Sequence, residues 1–185
     1  MHHRARPLLA LVAPLLALAL GSACDAINKL DNIDVTAKGQ TTIPGKTVLD
    51  ETLGTFPAFG GFSDFSITDS ETFQNKKYKA DQVDSVHLKR LVLRTLTPAG
   101  QDLSYLGTVT FFVEAPGRAK IELAHQSTFP AGQSEVAFAV TDAELKDYLL
   151  AEQSTITTEA SGSKHPDQDT VLEVEATFDV DVNVL

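Results

Sequence analysis

The sequence predicts an all-β fold, an antiparallel β-sandwich of about 7–9 strands with one short helix. Three observations predict it. From Ile33 onward, apolar residues recur at a spacing of two. Turn-forming clusters punctuate the chain at Pro98-Ala99-Gly100, Ala115-Pro116-Gly117, Pro130-Ala131-Gly132 and Ser161-Gly162-Ser163. One stretch alone combines a capping pattern with helical spacing.

The first 23 residues stand apart from this pattern. Arg4 and Arg6 precede the apolar run Leu8–Leu20, which is followed by the small residues Gly21, Ser22 and Ala23. This is the three-part layout of an export signal. The run is too short for a permanent span, which needs about 20 apolar residues, and Pro14 interrupts it. We therefore divide the chain into a signal peptide (1–23), a short polar tether (24–32) and one sandwich domain (33–185).

Cys24, the sole cysteine of 185 residues, closes the export segment. Two readings follow. An ordinary signal peptidase cuts after Ala23 and leaves an incidental cysteine at the N-terminus. Alternatively, Gly21-Ser22-Ala23-Cys24 resembles the lipobox of bacterial lipoproteins, with Gly21 standing where an aliphatic residue is usual. The resemblance implies that Cys24 is acylated, and the placement of a lone cysteine directly after three small residues favours it. Two or more acyl chains give stable anchoring, because each buried methylene contributes about 0.8 kcal/mol and a single chain binds reversibly. The expected location is the cell envelope, on the outer or inner membrane, facing the periplasm or the cell surface.

Charge narrows the partners. The chain carries a formal net charge of −10. Residues 1–23 hold two arginines and no acid, so their removal brings the charge to −12. A surface this acidic repels nucleic acid and anionic membrane faces, and a protein held at a membrane by lipid needs no basic patch to stay there. With one cysteine no intramolecular disulfide forms, and the domain must stand on packing.

The strands follow in order. Ile33–Ala37 alternates. Val83–Thr95 alternates too, but Val86 and Leu88 share one parity and Leu91 and Leu93 the other, which predicts a β-bulge near Lys89-Arg90. Tyr105–Glu114, Lys120–His125, Glu135–Val140 and the β-branched Ser154–Glu159 come next. The strongest signal is Leu172–Val184, where seven apolar residues interleave with six polar ones. Thr141-Asp142-Ala143-Glu144 predicts a capping box leading a helix whose apolar stripe is Leu145, Tyr148 and Leu149. Val48–Leu53 is a candidate for one further helical turn.

Four features invite a chemical reading. Phe56, Phe59, Phe62 and Phe65 lie at a spacing of three in a Pro/Gly-containing segment. They form either an exposed contact loop or a connection that folds its rings over the sandwich, and the rarity of large exposed apolar patches favours the second. The acidic row Glu173, Glu175, Asp179, Asp181, with Asp167 and Asp169 before it, raises calcium. Same-face residues on a strand are roughly 6.5 Å apart and converge poorly on one ion, so we read it as a solvated face and predict no metal and no cofactor. Lys76-Lys77-Tyr78-Lys79 is a basic cluster in an acidic protein, read as a polar loop or a contact for anionic headgroups or polysaccharide. His87, His125 and His165 are scattered, no catalytic motif is present, and no catalytic residue is assigned.

Phe73-Gln74-Asn75, Asp81–Val86 and Asp102–Leu106 leading into Phe111–Gly117 give the chain a resemblance to β-rich lipoproteins of Gram-negative, myxobacteria-like bacteria, over residues 30–185. The resemblance implies a β-sandwich on a lipid anchor and brings no activity with it; Cys24 is the one functional residue it carries over. The expected function is that of a non-enzymatic, membrane-anchored binding or structural module with an envelope protein or polysaccharide as partner. The alternative is a carbohydrate-binding module or an enzyme with a dispersed site.

Overall fold

A computed structural model describes residues 32–47, 53, 55–63 and 65–183. Cys24, the expected signal peptide (1–23) and most of Val48–Leu53 lie outside the described residues. Eight strands form two four-stranded sheets: β1 (Asn32–Ile43), β2 (Val83–Thr97), β3 (Thr108–Glu114), β4 (Ile121–Gln126), β5 (Glu135–Ala137), β6 (Ala139–Val140), β7 (Thr155–Ser161) and β8 (Thr170–Val182). The first sheet has the order β1-β8-β2-β5 and the second β6-β4-β3-β7. All neighbours pair antiparallel. The all-β sandwich expected from the sequence is the observed fold.

β8 is the axis of the first sheet. Its alternation is complete: Leu172, Val174, Ala176, Phe178, Val180 and Val182 are buried, and the residues between them are partly exposed. It pairs with β1 from Asn32↔Asp181 to Ile43↔Thr170 without a register shift. Its pairing with β2 shifts register between Leu88 and Arg90. This is the bulge that the parity switch predicted, and it lets Leu91 and Leu93 enter the same core as Val86 and Leu88. Opposite, Val109, Phe111 and Val113 of β3, Leu123 of β4 and Ile156 of β7 close the core from the second sheet.

Both flanks of the sandwich are bridged by chain. On one, β5 pairs with β2 of the first sheet and β6 pairs with β4 of the second, with the buried Phe138 between them. Glu135–Val140, read from the sequence as one strand, thus passes from sheet to sheet. On the other flank the phenylalanine-rich segment joins two edge strands. Gly60 exchanges hydrogen bonds with Gln40 of β1 (2.8 and 3.2 Å), and the carbonyl of Phe62 accepts from Ile156 of β7 at 3.0 Å.

The helices differ from expectation. α1 (Glu71–Lys76) was not foreseen; Ser70 caps it, accepting from the Phe73 N–H at 3.2 Å, and the buried Phe73 anchors it. α2 is a single turn, Lys146–Leu149, whose N-cap position is Leu145. The capping box at Thr141 does not form. Thr141 instead donates to the carbonyl of Glu122 at 2.9 Å. Glu144 accepts from the N–H groups of Val86 (2.9 Å) and Lys146 (2.8 Å). Glu144 therefore latches the α2 segment onto β2, and Leu145 and Leu149 are fully buried beneath it. Two 3-10 turns, Ile67–Asp69 and Ala80–Gln82, flank α1.

Gly61 sits at the bridged flank with φ +92, and a Cβ there would lie 2.6 Å from the carbonyl oxygen of Lys38. Gly100 also has positive φ (+82), but nothing lies within 4 Å of a Cβ at that position. Gly100→Ala should lose about 1 kcal/mol, the left-handed backbone penalty alone. Gly61→Ala should lose about 2–4 kcal/mol, because β1 must also move away from the bridge. Urea midpoints of the two variants measure the difference; equal losses would remove the steric role given to this flank.

Candidate functional site

The four phenylalanines of the supposed contact loop turn inward. Phe56, Phe59 and Phe62 are buried, and Phe65 is half-buried. Phe65 stacks on Phe178 of β8, with ring centroids 5.6 Å apart and planes 23° apart. Phe59 packs on Phe56 (5.8 Å) and on Phe111 of β3 (5.7 Å), and Phe111 meets Phe138 edge-on at 5.3 Å. The contact-loop reading is corrected accordingly: the spacing of three delivers rings to the core because the segment runs along the open flank between β1 and β7. Leu96 and Val140 are the large apolar side chains that remain exposed among the described residues.

The same segment forms one wall of a groove on that flank. The groove encloses about 380 Å³ and is lined by Thr36 of β1, Ser63 and Phe65 of the bridging segment, Ser66 and Asp69 of the 3-10 turn, and Glu71 of α1. Local rules place its groups. Ser66 caps the 3-10 turn and its hydroxyl also reaches the carbonyl of Leu149 at 3.2 Å. Asp69 and Glu71 occupy the first turns that follow, where carboxylates are favoured by the exposed N–H groups. With one face of Phe65 covered by Phe178, the groove combines hydroxyls, two carboxylates and an aromatic edge. That set suits a neutral, hydroxyl-rich ligand. Sequence reasoning missed this groove, because its residues are ordinary types spread from 36 to 71 and are united only by the bridging segment.

The acidic row of β8 is largely paired. Glu175 meets Lys38 of β1 at 2.9 Å and Arg94 of β2 at 3.5 Å. Arg94 also reaches Glu173 at 3.5 Å and Glu135 of β5 at 3.4 Å. The network crosses all four strands of the first sheet. Asp179 accepts from Asn32 at 3.2 Å, and Asp34 pairs with Lys89 at 2.8 Å. In the loop that had the closeness for calcium, Asp169 accepts from the Gly45 N–H (2.8 Å), His165 bonds the Pro44 carbonyl (2.8 Å) and Asp167 pairs with Lys46 (2.6 Å). These groups point to the backbone and side chains of residues 44–46, not to a common centre. Among the described residues no group of three or more His, Cys, Asp or Glu side chains is placed to hold a metal ion.

The other histidines are equally occupied. His87 lies against the 141–146 segment, with Nδ1 3.1 Å from the Ala143 carbonyl and Nε2 3.7 Å from Glu144. His125 contacts Glu122 at 2.7 Å. In the connection between β2 and β3, Asp102 accepts from the N–H of Gly132 (2.8 Å), in the connection between β4 and β5, and from the hydroxyl of Ser104 (2.7 Å).

No protein-family model and no curated protein sequence matches the chain. Among solved structures it is similar to the BFDV capsid protein in its 60-mer, at 13% identity and a TM-score of 0.34, over 82% of this chain and 92% of that one. A likeness this distant carries no argument about function.

The charged groups give a pH dependence. The Lys38 ammonium hydrogen-bonded to Glu175 holds that carboxyl below its usual value, with Arg94 adding to the effect. The Gly132 N–H, followed by Ser104, does the same for Asp102. Both groups bind a proton less readily in the folded chain than in the unfolded one. Their stabilisation is fully present above the ordinary carboxylate range, about pH 4, and is lost as the pH falls through the depressed values. Urea midpoints should therefore fall between about pH 5 and pH 2. Lys38→Met should flatten the part of that fall that belongs to Glu175; an unchanged profile would dismiss the pairing.

Proposed function

We propose that the chain is a membrane-anchored lipoprotein of the cell envelope, fastened through Cys24, whose β-sandwich works by binding. The observation that carries this reading is the export segment ending in Gly21-Ser22-Ala23-Cys24. The architecture supports it. The sandwich begins at Asn32, so eight residue steps, at most about 26–29 Å, separate it from Cys24. The domain is then held next to a lipid surface and needs no spanning helix; among the described residues no helix is long and apolar enough to cross a membrane.

The groove beside β1 is the candidate binding site. Its hydroxyls, carboxylates and aromatic edge favour a second, compatible reading, in which the partner is an envelope polysaccharide. Sugar hydroxyls would bond to Asp69, Glu71 and Ser63, and a sugar face would meet Phe65.

Mass spectrometry of the mature N-terminal peptide should show Cys24 as the first residue with acyl chains attached. Cys24→Ser should move the protein from the membrane to the soluble fraction. A wild-type protein that starts at Cys24 with a bare thiol and stays soluble would end this reading. For the groove, Asp69→Asn with Glu71→Gln should weaken retention on envelope polysaccharide about tenfold or more, since charged-group hydrogen bonds contribute roughly 1.5–3 kcal/mol each. Unchanged retention would reject the groove as the site.

A further inference from the structure

Lys76, Lys77 and Lys79 lie where α1 leads into β2, and all three are exposed. The loop that carries them is held firmly. Lys77 takes a left-handed conformation (φ 59) and ends α1 through bonds from its N–H to the carbonyls of Gln74 and Phe73. The ring of Tyr78 folds back on Phe73, with centroids 6.0 Å apart. The N–H of Lys79 donates to Gln82 at 3.0 Å. Gln82 in turn accepts from the Asn183 N–H at 2.6 Å and donates to the Asn183 carbonyl at 3.3 Å. The apolar member of the cluster is thus turned inward and the ammonium groups are presented outward.

Register fixes which end of the sandwich this is. Val83 of β2 pairs with Val182 of β8, and Asp181 of β8 pairs with Asn32 of β1. The lysine loop and the first residue of β1 therefore share one end of the first sheet. Lys38, Lys46, Lys89 and Lys120 each have a carboxylate within ion-pair distance. Among the described residues no carboxylate lies that close to the ammonium of Lys76, Lys77 or Lys79, although Asp81 and Asp84 follow nearby in the chain.

We infer that Lys76, Lys77 and Lys79 are a contact patch for anionic phospholipid headgroups, which orients the sandwich on its membrane. The inference rests on the anchor at Cys24. The tether enters the domain at the end where these lysines cluster, and the rest of the chain is strongly acidic. A body of that charge is repelled by an anionic surface, so the tethered domain settles with this lysine patch, rather than its acidic faces, toward the phosphates. Lysine suits this task, because its compact ammonium pairs with a phosphate as a point charge.

Full-length protein with its native N-terminus, reconstituted in phosphatidylcholine vesicles with or without phosphatidylglycerol, tests the patch by amine acylation and peptide mass spectrometry. Labelling of Lys76, Lys77 and Lys79 should slow roughly fivefold when anionic lipid is present. The protection should disappear in about 0.5 M salt, where the screening length is roughly 4 Å. Lys164, on the loop at the opposite end, should label equally in both vesicles. Equal labelling of the three lysines, on a protein whose Cys24 peptide carries acyl mass, overturns the patch and leaves the anchor standing. A bare Cys24 peptide overturns both.

Discussion

Strand β8 is paired along nearly its whole length on both sides, with β1 and with β2, and its side chains alternate between core and surface without a break. A slip of one residue in either pairing would send Phe178 and its apolar neighbours to water and draw Glu173 and Glu175 into the core. The register of the first sheet is therefore set from its middle. The charge network follows from that register, because Lys38, Glu175 and Arg94 meet only when β1, β8 and β2 are aligned as observed. Single exposed ion pairs contribute about 0–1 kcal/mol. Spread over four strands, this one serves alignment more than stability.

The second determinant is how the flanks are closed. A sandwich of two four-stranded sheets has four edges, and open edges invite pairing with other chains. Here the segment around Gly60 and Phe62 joins β1 to β7, and residues 135–140 pass from β2's side to β4's side. Rings from these crossings join Phe111 of β3 and Phe129 of the loop before β5 in a file that runs from Phe56 through Phe59, Phe111 and Phe138 to Phe129. The bridging segment also makes the groove at Thr36 and Glu71, so the same residues shape the core and the candidate site.

The sequence was most legible where one periodicity acted alone. β8 and the bulge in β2 could be read directly, since alternation and its interruption both leave a mark on side-chain parity. Local chemistry misled where a distant acceptor or donor won. Thr141 and Glu144 have the spacing of a capping box, but Thr141 bonds to β4's carbonyls and Glu144 to the backbone of Val86, so the helix starts later. α1 was missed because six residues carry too little pattern, and a buried Phe73 stabilises it only once the sheet exists. The phenylalanine segment could be recognised as a concentration of rings, yet its two readings differ in tertiary placement, which spacing does not encode. The groove had no local signature at all.

One consequence follows from the file of rings. In this molecule the interlayer space is filled by apolar side chains, the phenylalanine file among them, and both sides are crossed by backbone. Neither layer can swing open without breaking a crossing. A ligand would be met from outside, where the groove beside β1 lies.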